Sequence, residues 1–444
     1  MQKRGTPALA MLASASLFLV GCAASTGEQT ASETTAAATA PVDASECESI
    51  TVLTNRTDIV DTVFSAEYAP AFASAYNGVE VNFQAITDYP GEVSIRLNTD
   101  DYGDVLLIPD TVKLDQLADF FEPLGTVDDL ATSYRFLNEK AFNGTVYGIA
   151  VVGNAQGYLV NKRVWAEAGI TKAPTSPEEW IQALETIKAK TDAIPLYTNY
   201  KDGWPMNQWN GARFLVDGPE ATNMLAKDKT PWAEGRAYGI TDGMLYDAVS
   251  NGLTETDPTT TAWEPSKTMI ATGEIATMVM GSWAISQMKD AAATAGVPVT
   301  DIDYWPWPIQ KNGNYQAVVS GDYKMGINKN SDCKGTARAF VEWFIGESGF
   351  AFDQGGISPL QGGPTPANYG TFDSLNVQFV EQAPPIPGEE GLLGEVESEA
   401  EIGFFVPAYR QALIDSARKG VPKAEFFEEL NQTWTSAVEA VEGS

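Results

Sequence analysis

The stretch 50-ITVLT-54, read with 79-VEVNFQAI-86 and 104-DVLLIP-109, decides the fold. The first is a short β-branched run, the second alternates, and the third is continuously apolar, as a parallel strand covered on both faces is. Between them lie 60-VDTVFSAEYAPAFASAY-76, with apolar residues at helical spacing and Pro70 as a kink or break, and the short helix 91-GEVSIRLN-98. Strand, helix, strand, helix, strand makes an α/β lobe with a mainly parallel sheet flanked by helices.

A second series follows. Strand 147-YGIAVV-152 leads to helix 161-NKRVWAEAG-169, which stops at Gly169, and to helix 175-TSPEEWIQALETIKAK-190. Ser176, Pro177 and Glu179 form the N-cap, first-turn proline and returning carboxylate of a capping box. The runs 194-IPLYT-198 and 275-IATMVMGSW-283 read as strands of a second lobe, then 323-YKMGIN-328 as a strand and 335-GTARAFVEWFI-345 as a helix. Two helices, 404–419 and 423–442, close the chain.

Upstream, Lys3 and Arg4 precede a short apolar run that ends in 16-SLFLVGCAAS-25. A basic start, a short apolar stretch and small residues make a secretory signal over residues 1–21. Leu19-Val20-Gly21-Cys22 resembles the bacterial lipobox, whose cysteine carries the lipid and becomes the first mature residue. Each buried methylene contributes ~0.8 kcal/mol, so two or three acyl chains anchor durably where one does not. Residues 22–48, rich in Ala, Thr, Ser and Glu, read as the lipidated flexible tether. The expected location is extracytoplasmic, on the outer face of the cell membrane.

About 395 residues remain, enough for two domains. Loss of Lys3 and Arg4 with the leader takes the net charge from −31 to −33, which argues against nucleic acid as a partner. The chain has no histidine, so His-based acid–base catalysis and Ser-His triads are excluded, and nothing in it calls for a metal or other cofactor. Cys47 and Cys333 remain as a possible disulfide of an exported protein; whether they come within bridging distance is a tertiary question.

The succession of 50-ITVLTNRTD-58, 102-YGDVLLIPD-110, 146-VYGIAVV-152, 158-YLVNKRVWAEAGI-170, 178-EEWIQAL-184, 273-GEIATMVMGSWAIS-286, 356-GISP-359 and 404-FFVPAYRQAL-413 resembles the extracellular solute-binding proteins of ABC importers, in the carbohydrate-binding group related to maltose-binding protein. The resemblance implies a two-lobed periplasmic-binding-protein-like α/β fold with a hinge crossed more than once and the ligand between the lobes. It puts the first crossing near Val152 to Tyr158, the second near Val318 to Gly321, and the third within 370–395. The expected lobes are 49–152 with 320–385, and 153–319 with 386–444; the acidic stretch 384–400 is expected as a loop. The implied partners are a small-molecule saccharide and the permease subunits in the membrane, with the binding protein a monomer.

A saccharide needs hydrogen bonds in the plane of its ring and an apolar plate against its C–H face. Burying on the order of 100 Å² of that face contributes about 2–3 kcal/mol at ~25 cal/mol/Å². A micromolar complex needs roughly 8 kcal/mol, so several edge contacts are required as well. Of eleven Trp, Trp165, Trp180, Trp343 and Trp434 lie on helices among apolar neighbours and are expected in the core. Trp283 follows a strand and opens a helix, the place where α/β lobes present ligand contacts, and in the resembled family this aromatic faces the sugar. Trp204 and Trp209, in a loop with Gly203 and Pro205, read as a plate or as a lid over the core; Trp305 and Trp307 read as a rim. The strand-end rule adds Asn55, Asp58, Asp88, Asp110, Asn154, Asn199 and Asp322, residue types that turns and helix caps also favour.

The expected function is capture of a neutral mono- or oligosaccharide and its delivery to a permease, without catalysis. Moving a closed state from 1% to 99% requires about 5.5 kcal/mol of differential affinity, so the ligand must touch both lobes. The rival readings are a surface glycoside hydrolase, which needs two carboxylates, an adhesin, and the same fold holding a non-sugar solute.

Overall fold

The computed structural model describes residues 42–364 and 366–443. The leader, Cys22 and the tether to residue 41 lie outside the described residues. The first lobe opens with β1 (Ser49–Thr54), β2 (Glu80–Ala85) and β3 (Val105–Ile108). β1 pairs parallel with both neighbours, Val52 opposite Phe83 on one side and Val105 on the other. The first crossover is a π-helical run, Val60–Tyr68, that continues into α1 (Ala69–Ala75). Pro70 does not break it but stands at the junction where the π-helical run gives way to α1. The second crossover is α2 (Tyr89–Arg96).

Both lobes then share β4 (Ile149–Asn161). After it come α3 (Lys162–Glu167) and α4 (Pro177–Lys190). Ser176 Oγ accepts from Glu179 N at 3.2 Å, but the Glu179 carboxylate returns to Thr175 N at 2.8 Å, one residue further out than a capping box requires. The second lobe adds α5 (Ala237–Ser250), α6 (Trp263–Thr272), β5 (Thr277–Gly281), α7 (Ala284–Ala295) and β6 (Ile302–Trp305). Residues 194–198, expected as a strand, make only isolated parallel bridges, Ile194 to Ile275 and Leu196 to Thr254. The long strand β7 (Asn314–Ile327) returns to the first lobe and feeds α8 (Lys334–Gly346).

Strand order is β2-β1-β3-β7-β4-β5, with β6 also on β4. β7 runs antiparallel to β3 and to β4. One core gathers residues 50–152 with 325–351 and another gathers 158–318 with 380–438. In the second lobe the strands alternate strictly: Tyr158, Val160, Val279 and Trp305 enter one cluster, while Ala155, Leu159, Met278, Met280 and Tyr304 enter another on the opposite face. Both faces are covered, which is why these strands read as unbroken apolar runs.

The third passage between the cores lies earlier than expected. Ile357 and Gly153 exchange backbone hydrogen bonds at 2.7 Å each. Beyond it Tyr369 and Phe372 pack with Tyr304, and β8 (Gln378–Val380) pairs with β7 at Gln316 to Val318. Residues 369–380, expected with the first lobe, therefore pack with the second. The acidic stretch expected as a loop contains α9 (Leu392–Ala400), because Val396 and Ala400 supply an apolar face to the second core. The chain ends in α10 (Pro407–Lys419) and α11 (Lys423–Glu442).

Cys47 and Cys333 form a disulfide with Cα atoms 5.6 Å apart, joining the start of β1 to the start of α8. Residues 46–48, expected in the tether, belong to the folded domain. Cys47 N donates to Thr336 Oγ1 at 3.0 Å, and Gly335 N donates to the Glu46 carboxylate. The free N–H groups at the α8 N-terminus take the carboxylate as a cap, which orders the segment. The bond closes a sequence separation of 286 residues. Replacing both cysteines by serine is expected to lower the unfolding free energy by about 2–5 kcal/mol. Urea unfolding of C47S/C333S checks this, and an unchanged midpoint would deny the bond a stabilising role.

Candidate functional site

A cavity of about 630 Å³ opens between the first core and α7, whose buried side packs with Leu159, Met278 and Met280 on the other face of the second lobe's strands. The first core presents the loop after β1. There Arg56 grips Asp58 with two parallel hydrogen bonds of 2.8 Å each and donates through Nη1 to Gln354 Oε1 at 2.7 Å. The Arg56 hydrogen bond holds the Asp58 carboxyl below the usual carboxylate range. Nearby, Tyr68 OH donates to Asp353 Oδ2 at 2.8 Å.

The floor comes from the paired crossing strands. Asn154 on β4 donates through Nδ2 to Asp322 Oδ2 on β7 at 3.2 Å, and its Oδ1 accepts from Ser282 Oγ at 3.4 Å. Tyr369 OH hydrogen-bonds the same Ser282 hydroxyl, so the Asn154 amide is oriented from behind. Burial pushes the Asp322 carboxyl above its ordinary range; the Lys324 charge, the Tyr323 N–H and the Asn154 amide offset part of the shift, while Asp110 adds to it.

The opposite wall is α7. Trp283, Ser286, Gln287 and Asp290 line the cavity. Their spacing of i, i+3, i+4 and i+7 is one helical face. Trp283 forms a triangle with Trp204 and Trp263, the ring centroids 5.8 and 5.4 Å away, and Trp204 lies 5.3 Å from Trp263. Trp263 is buried and backs the other two rings.

Of the residues expected from sequence, Asn55, Asp58, Asn154, Trp283 and Asp322 line this cavity. Trp204 is outside the lining but packs against Trp283 and is 38% exposed. Asp88 is exposed at the start of α2, and Asp110, fully exposed after β3, lies 3.8 Å from Lys140 Nζ; neither lines the cavity. Asn199 is a correction. It is 1% exposed, with φ +57°, and its amide reaches Met278 Sδ at 2.9 Å. A left-handed turn favours asparagine there, inside the second core. Trp209 is a second correction. It is 3% exposed and packs edge-on against Trp180 and Trp307. Trp305 and Trp307, read as a rim, are also buried.

Arg56, which the sequence offers either as the partner that orients one of the strand-end carboxylates or as an exposed side chain, pairs with Asp58; Ser286, Gln287 and Asp290 are not among the residues expected at the site. The α7 residues carry a sequence signal, since they repeat at helical spacing from Trp283. Gln354 and Asp353 carry none, because 298 and 285 residues separate them from Arg56 and Tyr68.

A family model described as bacterial extracellular solute-binding protein matches residues 57–349. Among solved structures, the chain is similar to BlMnBP1, the binding protein of an ABC transporter from Bifidobacterium animalis subsp. lactis, in complex with mannobiose. Identity is 34%, coverage is 88% of this chain and 95% of that one, and the TM-score is 0.79. It is similar also to BlMnBP2, a manno-oligosaccharide-specific solute-binding protein of the same organism, in complex with mannotriose, at 35% identity, the same coverages and a TM-score of 0.78. The diacetylchitobiose-binding protein DasA of Streptomyces coelicolor is 24% identical over 232 residues; the match spans about half of each chain, 51% of both.

The placement of the tryptophans separates packing from exposure. Trp209→Ala is expected to cost about 3–5 kcal/mol of stability, as large-to-small core changes do. Trp204→Ala, with its ring partly in solvent, is expected to cost clearly less. Denaturant unfolding of the two variants checks the order, and a Trp209 variant as stable as the parent would remove that residue from the core.

Proposed function

The chain belongs to the bacterial extracellular solute-binding protein family, and from that membership we propose that it captures a neutral mono- or oligosaccharide outside the cell and hands it to the permease of an ABC importer. The observation that carries the reading is the make-up of the cavity. An aromatic ring, Trp283, stands on one wall, Asn55 and Asp58 on the other, and Asn154 and Asp322 on the floor between them. A ring face and a hydroxyl-bearing edge are what such an arrangement satisfies together. Mannose-based di- and trisaccharides are the first ligands to try, because proteins 34% and 35% identical to this one carry mannobiose and mannotriose.

In this reading the two cores are lobes that close over the sugar about the β4–β7 crossing. The protein holds its ligand without turnover and acts as a monomer. Lipid on Cys22 keeps it at the outer membrane face, and the tether meets the folded domain where the disulfide pins it. Among the described residues no helix is long and apolar enough to cross a membrane.

Calorimetry with mannobiose, mannotriose and diacetylchitobiose tests the reading, with micromolar binding of at least one expected. Trp283→Ala is expected to weaken that binding tens-fold, the equivalent of about 2–3 kcal/mol of lost ring-face burial, with the fold intact by circular dichroism. Binding that survives the substitution unchanged would take Trp283 out of the site. Reducing-end assays on the same sugars are expected to detect no cleavage.

Asp322 adds a pH dependence. It accepts sugar hydroxyls as a carboxylate, and its raised pKa means the proton returns at a higher pH than for an ordinary aspartate. Affinity is therefore expected to fall as pH drops through that raised value, and Asp322→Asn is expected to bind weakly with a flat acid limb. A variant that keeps the parent's acid limb would assign the titration to another group.

A further inference from the structure

Behind the cavity floor lies a charged pair that does not line the cavity. Lys324 Nζ sits 2.6 Å from Glu139 Oε2, with side-chain exposures of 11% and 19%. The same Glu139 accepts from Gly321 N through Oε1 at 2.8 Å, and Lys324 Nζ donates to Gly321 O, also at 2.8 Å. Gly321 is thus held at its N–H by one partner and at its carbonyl by the other. A side chain at Gly321 would stand 2.5 Å from Ala150 Cβ, so the strand has no slack at this point. The next residue is Asp322, and its peptide link to Gly321 is the one whose carbonyl Lys324 holds.

Lys324 therefore has three carboxylates within reach of its charge, Glu139, Asp110 and Asp322, and its ammonium is bound to the first. Asp110 is fully exposed and already lies 3.8 Å from Lys140 Nζ, which leaves Asp322 as the less exposed alternative. Buried cations do not stay unpaired. An ammonium deprived of Glu139 would turn to Asp322, and Asp322 would then meet a cation in place of the ligand.

We infer that Glu139 is a positioning residue for ligand binding: by engaging Lys324 and the Gly321 N–H it keeps the Asp322 carboxylate free to face the cavity. The inference rests on the saccharide reading above. Neither Glu139 nor Lys324 touches the ligand in this arrangement; they decide whether Asp322 does.

The test uses whichever of mannobiose, mannotriose and diacetylchitobiose the parent protein binds, with calorimetry of the full folded domain across pH. Glu139→Gln is expected to weaken binding at least tenfold. It is also expected to move the acid limb of binding to lower pH, since Lys324 would then stabilise ionised Asp322. The groups facing that carboxylate are Asn154 on β4, Asp110 after β3, Tyr323 and Lys324 on β7, with Lys140 beside Asp110. The neutral pair E139Q/K324M removes the competitor together with its keeper and is expected to bind within threefold of the parent. Unchanged affinity in E139Q overturns the inference, and so does a double variant weakened beyond threefold. If E139Q alone does not fold, the double variant decides on the same threshold. A parent protein that binds none of the three sugars brings down the saccharide reading and this inference together, whereas a binding parent with a failed double variant brings down only the latter.

Discussion

Two antiparallel strands carry the molecule. β4 and β7 run side by side from one core to the other, with Asp322 opposite Val152 and Val319 opposite Ala155. Their ends are buried in different hydrophobic clusters, so neither strand can shift register without moving apolar side chains out of both. The middle of the pair has a different character. There the strands expose Asn154 and Asp322 to the cavity, and a glycine on each strand, Gly153 opposite Gly321, lets other groups approach the backbone. Phe136 fills the space against both glycines and Ile357 that against Gly153, so the crossing is packed tightly where it carries polar groups.

Polar order in the cavity follows from that scaffold. Asp322 is presented by a strand whose preceding peptide is tied down by Glu139 and Lys324, and Asn154 is oriented by Ser282 and Tyr369 from the far side. Arg56 commits its guanidinium to Asp58 and Gln354, so its charge is already paired and does not favour an anionic guest. Opposite, α7 needs only its own helical period to bring one ring and three polar side chains to the same face. The aromatic residues divide by support: Trp263 backs Trp283 and Trp204 at the cavity side, while Trp180, Trp209 and Trp307 fill the interior of the second lobe.

Much of this was legible before folding. Strand β3 announced itself as a four-residue apolar run, α4 by its serine cap, and Trp283 by its place after an apolar strand. Local rules sufficed there, because backbone preference and side-chain period act within a few residues. The same rules misplaced Asn199 and Trp209. An asparagine after a strand and a tryptophan in a Gly-Pro loop satisfy turn chemistry equally well whether the loop faces solvent or folds back onto the core, and here both fold back. The third crossing and helix α9 were misjudged for a related reason: acidic, proline-rich composition hides a helix whose burial depends on two residues, Val396 and Ala400.

From the amino-acid order alone came the α/β class, the lack of histidine chemistry and the aromatic residue at the head of α7, each legible in a short stretch of chain, while the two long crossings followed from the resemblance of the whole succession of segments to the family. Tertiary structure alone decided that Cys47 meets Cys333, that Arg56 reaches Gln354, and that Glu139 and Lys324 pair beneath Asp322. Those contacts join residues far apart in sequence. Whether two such groups meet is set by how the cores pack, and no local propensity records it.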